Sequence, residues 1–155
     1  MHQFTSTAEA IRWFFEDNNW TYEEDEEGFF ESGLRMETAI ENIMIHAVAG
    51  ERAFTVMIAP ELEMDASHHA AMLEYVNLVN GGLMVGGLVL DKEENTMYFR
   101  MGQICGEEMP AKQTITDAFL YPLSFFETAG EAILSLLAGE MDPIQAAYRS
   151  LAGDD

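Results

Sequence analysis

The stretch AIENIMIHAVAGERAFTVMIAP, residues 39–60, decides the fold. Ala53 to Ala59 alternates: Phe54, Val56 and Ile58 share one face, and Thr55 and Met57 take the other, as successive strand side chains must. Ala39 to Val48 reads as a preceding strand, with Ala49-Gly50-Glu51-Arg52 as the turn between them and Pro60 as the stop. Upstream, Phe29 to Met36 reads as a further strand, so the three form an antiparallel meander. Glu23-Glu24-Asp25-Glu26-Glu27-Gly28 is a charged turn whose adjacent like charges prefer water. Trp20 to Tyr22, before it, is extended.

Helices frame this meander. Ser6-Thr7-Ala8-Glu9 is a capping-box pattern opening a helix to about Asn18, with Ile11, Phe14 and Phe15 on one side and Glu9, Arg12 and Glu16 largely on the other. Asp65 or Ser67 caps a second helix, Ser67 to Asn80, whose broad apolar arc predicts deep burial. Gly81-Gly82 terminates it. Leu83 to Leu90 is a nearly continuous apolar run and reads as a central strand. Gly86-Gly87 inside it predicts a bulge or the close approach of another backbone. Asp91 to Asn95 turns the chain, and Thr96 to Met101 is the hairpin partner. The last long helical region begins near Thr116, and Pro122 should break it, kink it or start a new segment. Asp142-Pro143 opens a short final helix to about Ser150. The tail 153–155 should fray.

The order is therefore α-β-β-β-α-β-β-α-α. Short turns between neighbouring strands predict an α+β fold with an antiparallel sheet of about five strands and helices mainly on one face. The chain has 155 residues, a length that suits one domain, and shows no internal repeat or linker, so 1–155 reads as a single unit.

Charge narrows the function classes. Asp and Glu total 28 against 7 Lys and Arg, a formal charge of −21. Nucleic acid and anionic membrane surfaces call for a basic patch, and seven scattered cations (Arg12, Arg35, Arg52, Lys92, Arg100, Lys112, Arg149) do not make one. Such a charge fits either plain solubility or a basic protein partner, whose approach complementary charge would steer. The single cysteine, Cys105, excludes an intrachain disulfide and fits a reducing compartment. The N-terminal stretch lacks a signal-peptide pattern, and no apolar run reaches membrane-span length. The expected location is cytoplasmic.

The chemical motifs are weak. Aligning Gly28 with the sixth position of a calcium loop puts Glu23, Asp25 and Glu27 at positions one, three and five, but Leu34 falls where a bidentate carboxylate is needed. His68 and His69, near Glu61, Glu63 and Asp65, point about 100° apart on a helix and lack the i, i+4 spacing of a zinc pair. His2 and His46 fit no ligand pattern. Glycines 81, 82, 86 and 87 follow a helix and precede a strand, the reverse of a phosphate cradle. Glu107 and Glu108 near Cys105 should raise its thiol pKa. No catalytic, cofactor or metal site is assigned. The 11 methionines are more informative. Met44, Met57, Met72, Met84, Met97 and Met101 sit on strand or helix faces, where methionine fills cores or makes adaptable binding surfaces.

Trp20-x-Tyr22 followed by Glu27-Gly28-Phe29, then Tyr75-Val76-Asn77-x-x-Asn80, Gly87-Leu88-x-Leu90-Asp91 and Tyr98-x-Arg100 form an ordered series. A proline-bearing helix and a closing Gly139…Asp142-Pro143…Ala146 complete it. In this series the chain resembles the YbjN-domain family of bacterial proteins, described as sensory-transduction regulators, over about Thr7 to Ala147. The stretch Leu83–Gly87 departs from it, since a bulkier segment is expected there. The resemblance implies a compact domain similar to type III secretion chaperones. Such proteins are small, acidic, cytoplasmic and usually dimeric, and hold a client segment against apolar surface without ATP. It transfers no catalytic residues.

The reading is a non-enzymatic protein-binding module, chaperone-like or regulatory, expected to be a homodimer. Met72, Tyr75, Val79, Met84, Met97, Phe99 and Met101, on the second helix and the Leu83–Met101 hairpin, are the candidate partner or dimer surface. Asn77 and Asn80 should cap or bridge the turn into Leu83. The alternative is a small-molecule sensor with its pocket between the sheet and the Pro122-bearing helix.

Overall fold

The computed structural model describes residues 4–152; His2 and the expected fray at 153–155 lie outside them. Helix α1 (Thr7–Asp17) starts where Ser6 accepts a hydrogen bond from the Glu9 amide at 3.0 Å, while the Glu9 carboxylate accepts one from the Thr5 hydroxyl. Strands β1 (Tyr22–Glu24), β2 (Phe29–Arg35), β3 (Asn42–Ala49) and β4 (Ala53–Pro60) follow as an antiparallel meander. β1 overlaps the expected extended piece only at Tyr22 and takes in Glu23 and Glu24, which were expected in the charged turn, giving six strands in all among the described residues.

Helix α2 (His69–Gly82) follows a 3-10 turn at Ala66–His68 capped by Asp65. The hairpin β5 (Gly87–Asp91) and β6 (Thr96–Ile104) completes a sheet of order β1-β2-β3-β4-β6-β5. The expectation of a central strand at Leu83–Leu90 is corrected here: 83–86 are not strand, and β5 is the edge, paired only with β6. The crossover through α2 carries the chain past the open side of β4, and β6 returns into the gap. Apolarity at 83–90 therefore does not reflect two buried faces; Leu88 is buried, while Met84 and Val85 are exposed.

The close approach read from Gly86-Gly87 is present. Gly86 has φ +69°, and a Cβ there would come within 2.6 Å of Phe99 Cε1 and 2.9 Å of the Arg100 carbonyl oxygen. Gly87 lies against the Asn80 side chain. Asn80 donates to the Leu88 carbonyl at 3.0 Å and accepts from the Leu88 amide at 2.7 Å. One amide side chain thus pairs with the edge of β5 as a neighbouring strand would, which blunts an otherwise open edge.

Helix α3 (Lys112–Leu137) continues through Pro122 as one helix, so of the three expected outcomes the break and the new segment are absent. An interior proline costs about 3 kcal/mol. Phe119, Leu123, Phe125 and Phe126, all buried around it, each contribute about 1.5–3 kcal/mol, so tertiary burial wins. Helix α4 (Pro143–Ala152) closes the fold and packs against α2 and α3. The hydroxyl of buried Ser150 donates to the Ala146 carbonyl, so the Tyr75 hydroxyl, 2.7 Å away, donates to Ser150.

The core lies between α1, α3 and one face of the sheet. Phe14 of α1 stacks on Phe119 of α3 with ring centres 4.2 Å apart. Phe30, Ile43, Ile45, Ala47, Phe54, Val56, Ile58, Met97 and Phe99 supply the sheet side.

Candidate functional site

Strand alternation gives the sheet a second face, pointing away from α1 and α3. Across it run three rows set by the register. The middle row is Glu31, His46, Met57 and Arg100, directly opposite one another from β2 to β6. On one side lie Phe29, Val48 and Thr55; on the other lie Gly33, Met44 and Ala59. Tyr98 and Val89 continue the face onto the β6–β5 hairpin.

Every residue on this face is half-buried or exposed, whereas the opposite face of the same strands is almost wholly buried. Phe29 keeps 49% and Met44 keeps 42% of its surface in contact with solvent. Among the described residues, no helix covers this face. Antiparallel sheets with one solvated face usually place polar residues there. Here Phe29, Met44, Val48, Met57, Val89 and Tyr98 are apolar or amphipathic. The charged groups of the middle row are separated: three strand spacings of ~4.8 Å put Glu31 about 14 Å from Arg100. The arrangement offers an adaptable apolar surface crossed by one line of polar groups, not groups converging on one bond.

The residues expected to form a partner surface divide. Met72, Tyr75, Val79, Met97 and Phe99 are all fully buried within the chain. They are core residues, because α2 turns its broad arc onto α4 and β5, and β6 turns Met97 and Phe99 onto α3. Burial also holds the Tyr75 phenol far above its ordinary pKa. Met101 faces inward and is half-buried. Met84 alone projects, 95% exposed. The outer sheet face was legible in the alternation of residues 39–60, but its lack of cover was not.

Near Pro122 the space expected as a pocket between the sheet and α3 is filled, since Phe99 packs on Phe125 and Phe126 with ring centres 5.4 and 6.5 Å apart; an open groove of about 590 Å³ lies instead where Gln103 and Ile104 at the end of β6 face Lys112–Thr114 at the start of α3. A shallow groove of about 310 Å³ lies elsewhere, where Leu83 and Met84 meet Tyr121 of α3 and Leu151 of α4.

The remaining polar motifs are structural. Asp25 accepts hydrogen bonds from the Glu27 and Phe29 amides and shapes the acidic turn. His68 Nδ1 accepts from the Asp65 amide at 3.0 Å and serves the cap. His69 Nε2 meets Asn95 Oδ1 at 2.7 Å and ties α2 to the β5–β6 turn. Hydrogen bonds from Ser67 lower the Asp65 pKa. No group of three or more His, Cys, Asp or Glu among the described residues is placed to hold a metal ion. The Cys105 thiol pKa is raised, as expected, but by burial rather than by the neighbouring glutamates. Among the described residues, no helix is long and apolar enough to cross a membrane.

Comparison with curated proteins gives no match. Residues 7–119, from α1 into the first third of α3, match the model of the YbjN family, described as "Putative bacterial sensory transduction regulator". The match takes in the whole sheet and ends before Gly139…Ala146. A regulator family accords with a regulatory or protein-binding role. Because this match covers most of its length, the chain belongs to the YbjN family.

Proposed function

We propose that this chain is a non-enzymatic, cytoplasmic protein-binding module, regulatory or chaperone-like, that lays a partner segment across the outer face of its sheet. The observation that supports this reading is the uncovered face itself, apolar at Phe29, Met44, Val48 and Met57 while the rest of the core is closed. Methionine side chains adapt to different partner shapes. The net charge of −21 favours a basic partner and disfavours nucleic acid and anionic membrane.

Replacement of Met44 by a photoreactive amino acid in cells tests it. The expected result is covalent adducts with one or a few proteins, lost when Met57→Glu is added and absent when the probe replaces Glu74 on α2. Equal labelling from both positions, or none from Met44, would overturn the reading.

A further inference from the structure

Helix α4 is inverted in its side-chain sizes. It turns Ala146, Ala147 and Ser150 into the protein and leaves Ile144 64% and Tyr148 76% exposed. The small inner residues let α4 lie close on α2 and α3. The large outer residues find no cover among the described residues.

A shallow groove of about 480 Å³ runs along this outer side, lined by Glu140, Met141, Ile144, Gln145, Tyr148 and Arg149. These six positions are self-complementary under antiparallel pairing. Placing a second α4 head to tail sets Arg149 against Glu140 of the other copy, Tyr148 against Met141, and Ile144 against Gln145, with Ile144 near the two-fold axis. Tyr148 then packs on Met141 at each end, and the two Ile144 side chains approach each other beside the axis, as ridges enter grooves. The charges match as well. Glu140 lies at one end of the groove and Arg149 at the other, and Arg149 forms no ion pair within its own chain among the described residues. A two-fold axis requires this property of an isologous surface.

We infer that the outer side of α4 is the interface with a second copy of this chain, an antiparallel α4–α4 contact locked by reciprocal Arg149–Glu140 pairs. It lies on a different element from the outer sheet face and leaves that face free in both copies. The two surfaces are separable by mutation.

Sedimentation equilibrium of the full chain tests this inference. The wild-type protein sediments as a dimer, tighter at higher salt because each copy carries −21 and repels the other. Ile144→Asp with Tyr148→Asp weakens dimerisation by about a hundredfold or more, the effect of removing a central aromatic anchor, with an unchanged circular dichroism spectrum. Arg149→Glu also weakens it, and adding Glu140→Lys to Arg149→Glu restores it. A wild-type monomer, a dimer indifferent to the Ile144 and Tyr148 changes, or a charge swap that fails to rescue would each overturn the assignment. A dimer lost instead on Met44→Glu would move the interface to the sheet.

Discussion

Arg12 and Glu24 join α1 to β1 through two hydrogen bonds, Nε to Oε1 at 2.9 Å and Nη2 to Oε2 at 2.8 Å. The hydrogen bond from Arg12 is the main reason that the Glu24 pKa is lowered and the Arg12 pKa raised. A carboxylate whose folded pKa is lowered stabilises the fold above its unfolded pKa of about 4.3, and that contribution is lost as pH falls through the lowered folded value. Both groups are partly open to water, so the pair is worth no more than about 0.2–1 kcal/mol. Glu24→Gln should therefore lower stability by that amount in urea unfolding at pH 7. The gap to wild type should close below pH ~4. A gap that persisted at low pH would show that the charge is not what Glu24 contributes.

At the scale of elements, the link between α2 and β5 is the sharpest dependency. Asn80 satisfies both the amide and the carbonyl of Leu88, on a strand that has a partner strand on one side only. Asn80→Ala removes both bonds at once and reopens the edge. Each hydrogen bond is worth about 0.5–1.5 kcal/mol net, so a loss of about 1–3 kcal/mol is expected in urea unfolding. The Leu88 amide should exchange with solvent much faster, while the amides of β3 keep their protection. An unchanged Leu88 exchange rate would mean that the edge is closed by something other than Asn80. Helix α3 makes the complementary point, because Pro122 disrupts its local bonding and the burial of its aromatic residues on Phe99 and Phe14 keeps it whole.

The whole molecule is dominated by like charge. With a net −21 spread over 155 residues, self-repulsion opposes the compact state, and the few ion pairs among the described residues do little to offset it. Raising sodium chloride from about 20 mM to about 500 mM shortens the screening length several-fold. The melting temperature should rise over this range. The measurement belongs on the Ile144→Asp, Tyr148→Asp variant, so that tighter dimerisation does not contribute. A falling melting temperature would show that attractive surface pairs outweigh the repulsion. The same net charge bears on the proposed function, since it would discourage the sheet faces of two copies from meeting and would steer a basic segment toward the chain.

Much of this protein was legible in its residues taken in order. The alternation of Phe54, Val56 and Ile58 against Thr55 and Met57, the Ser6 and Asp65 caps, and the Asp142-Pro143 start are local signals, and each element they predict is present. The ordered motifs from Trp20 to Arg100 likewise led to the right family. What sequence could not separate is burial against exposure for residues equally apolar. Tyr75 and Tyr148 are both tyrosines on amphipathic helices, yet one is sealed against Ser150 and the other stands in solvent. Leu83–Leu90 looked central because it is apolar throughout, but strand order depends on the crossover, a long-range choice absent from any local pattern. Local sequence determined most of the helices and strands, though not 83–86 or Glu23–Glu24, and which face of each is apolar, because propensity and periodicity act within a few residues. Only the tertiary structure decided which apolar faces are covered, because cover depends on where distant elements dock; α3 closes one side of the sheet, and the other side, like the outer side of α4, has no covering element among the described residues.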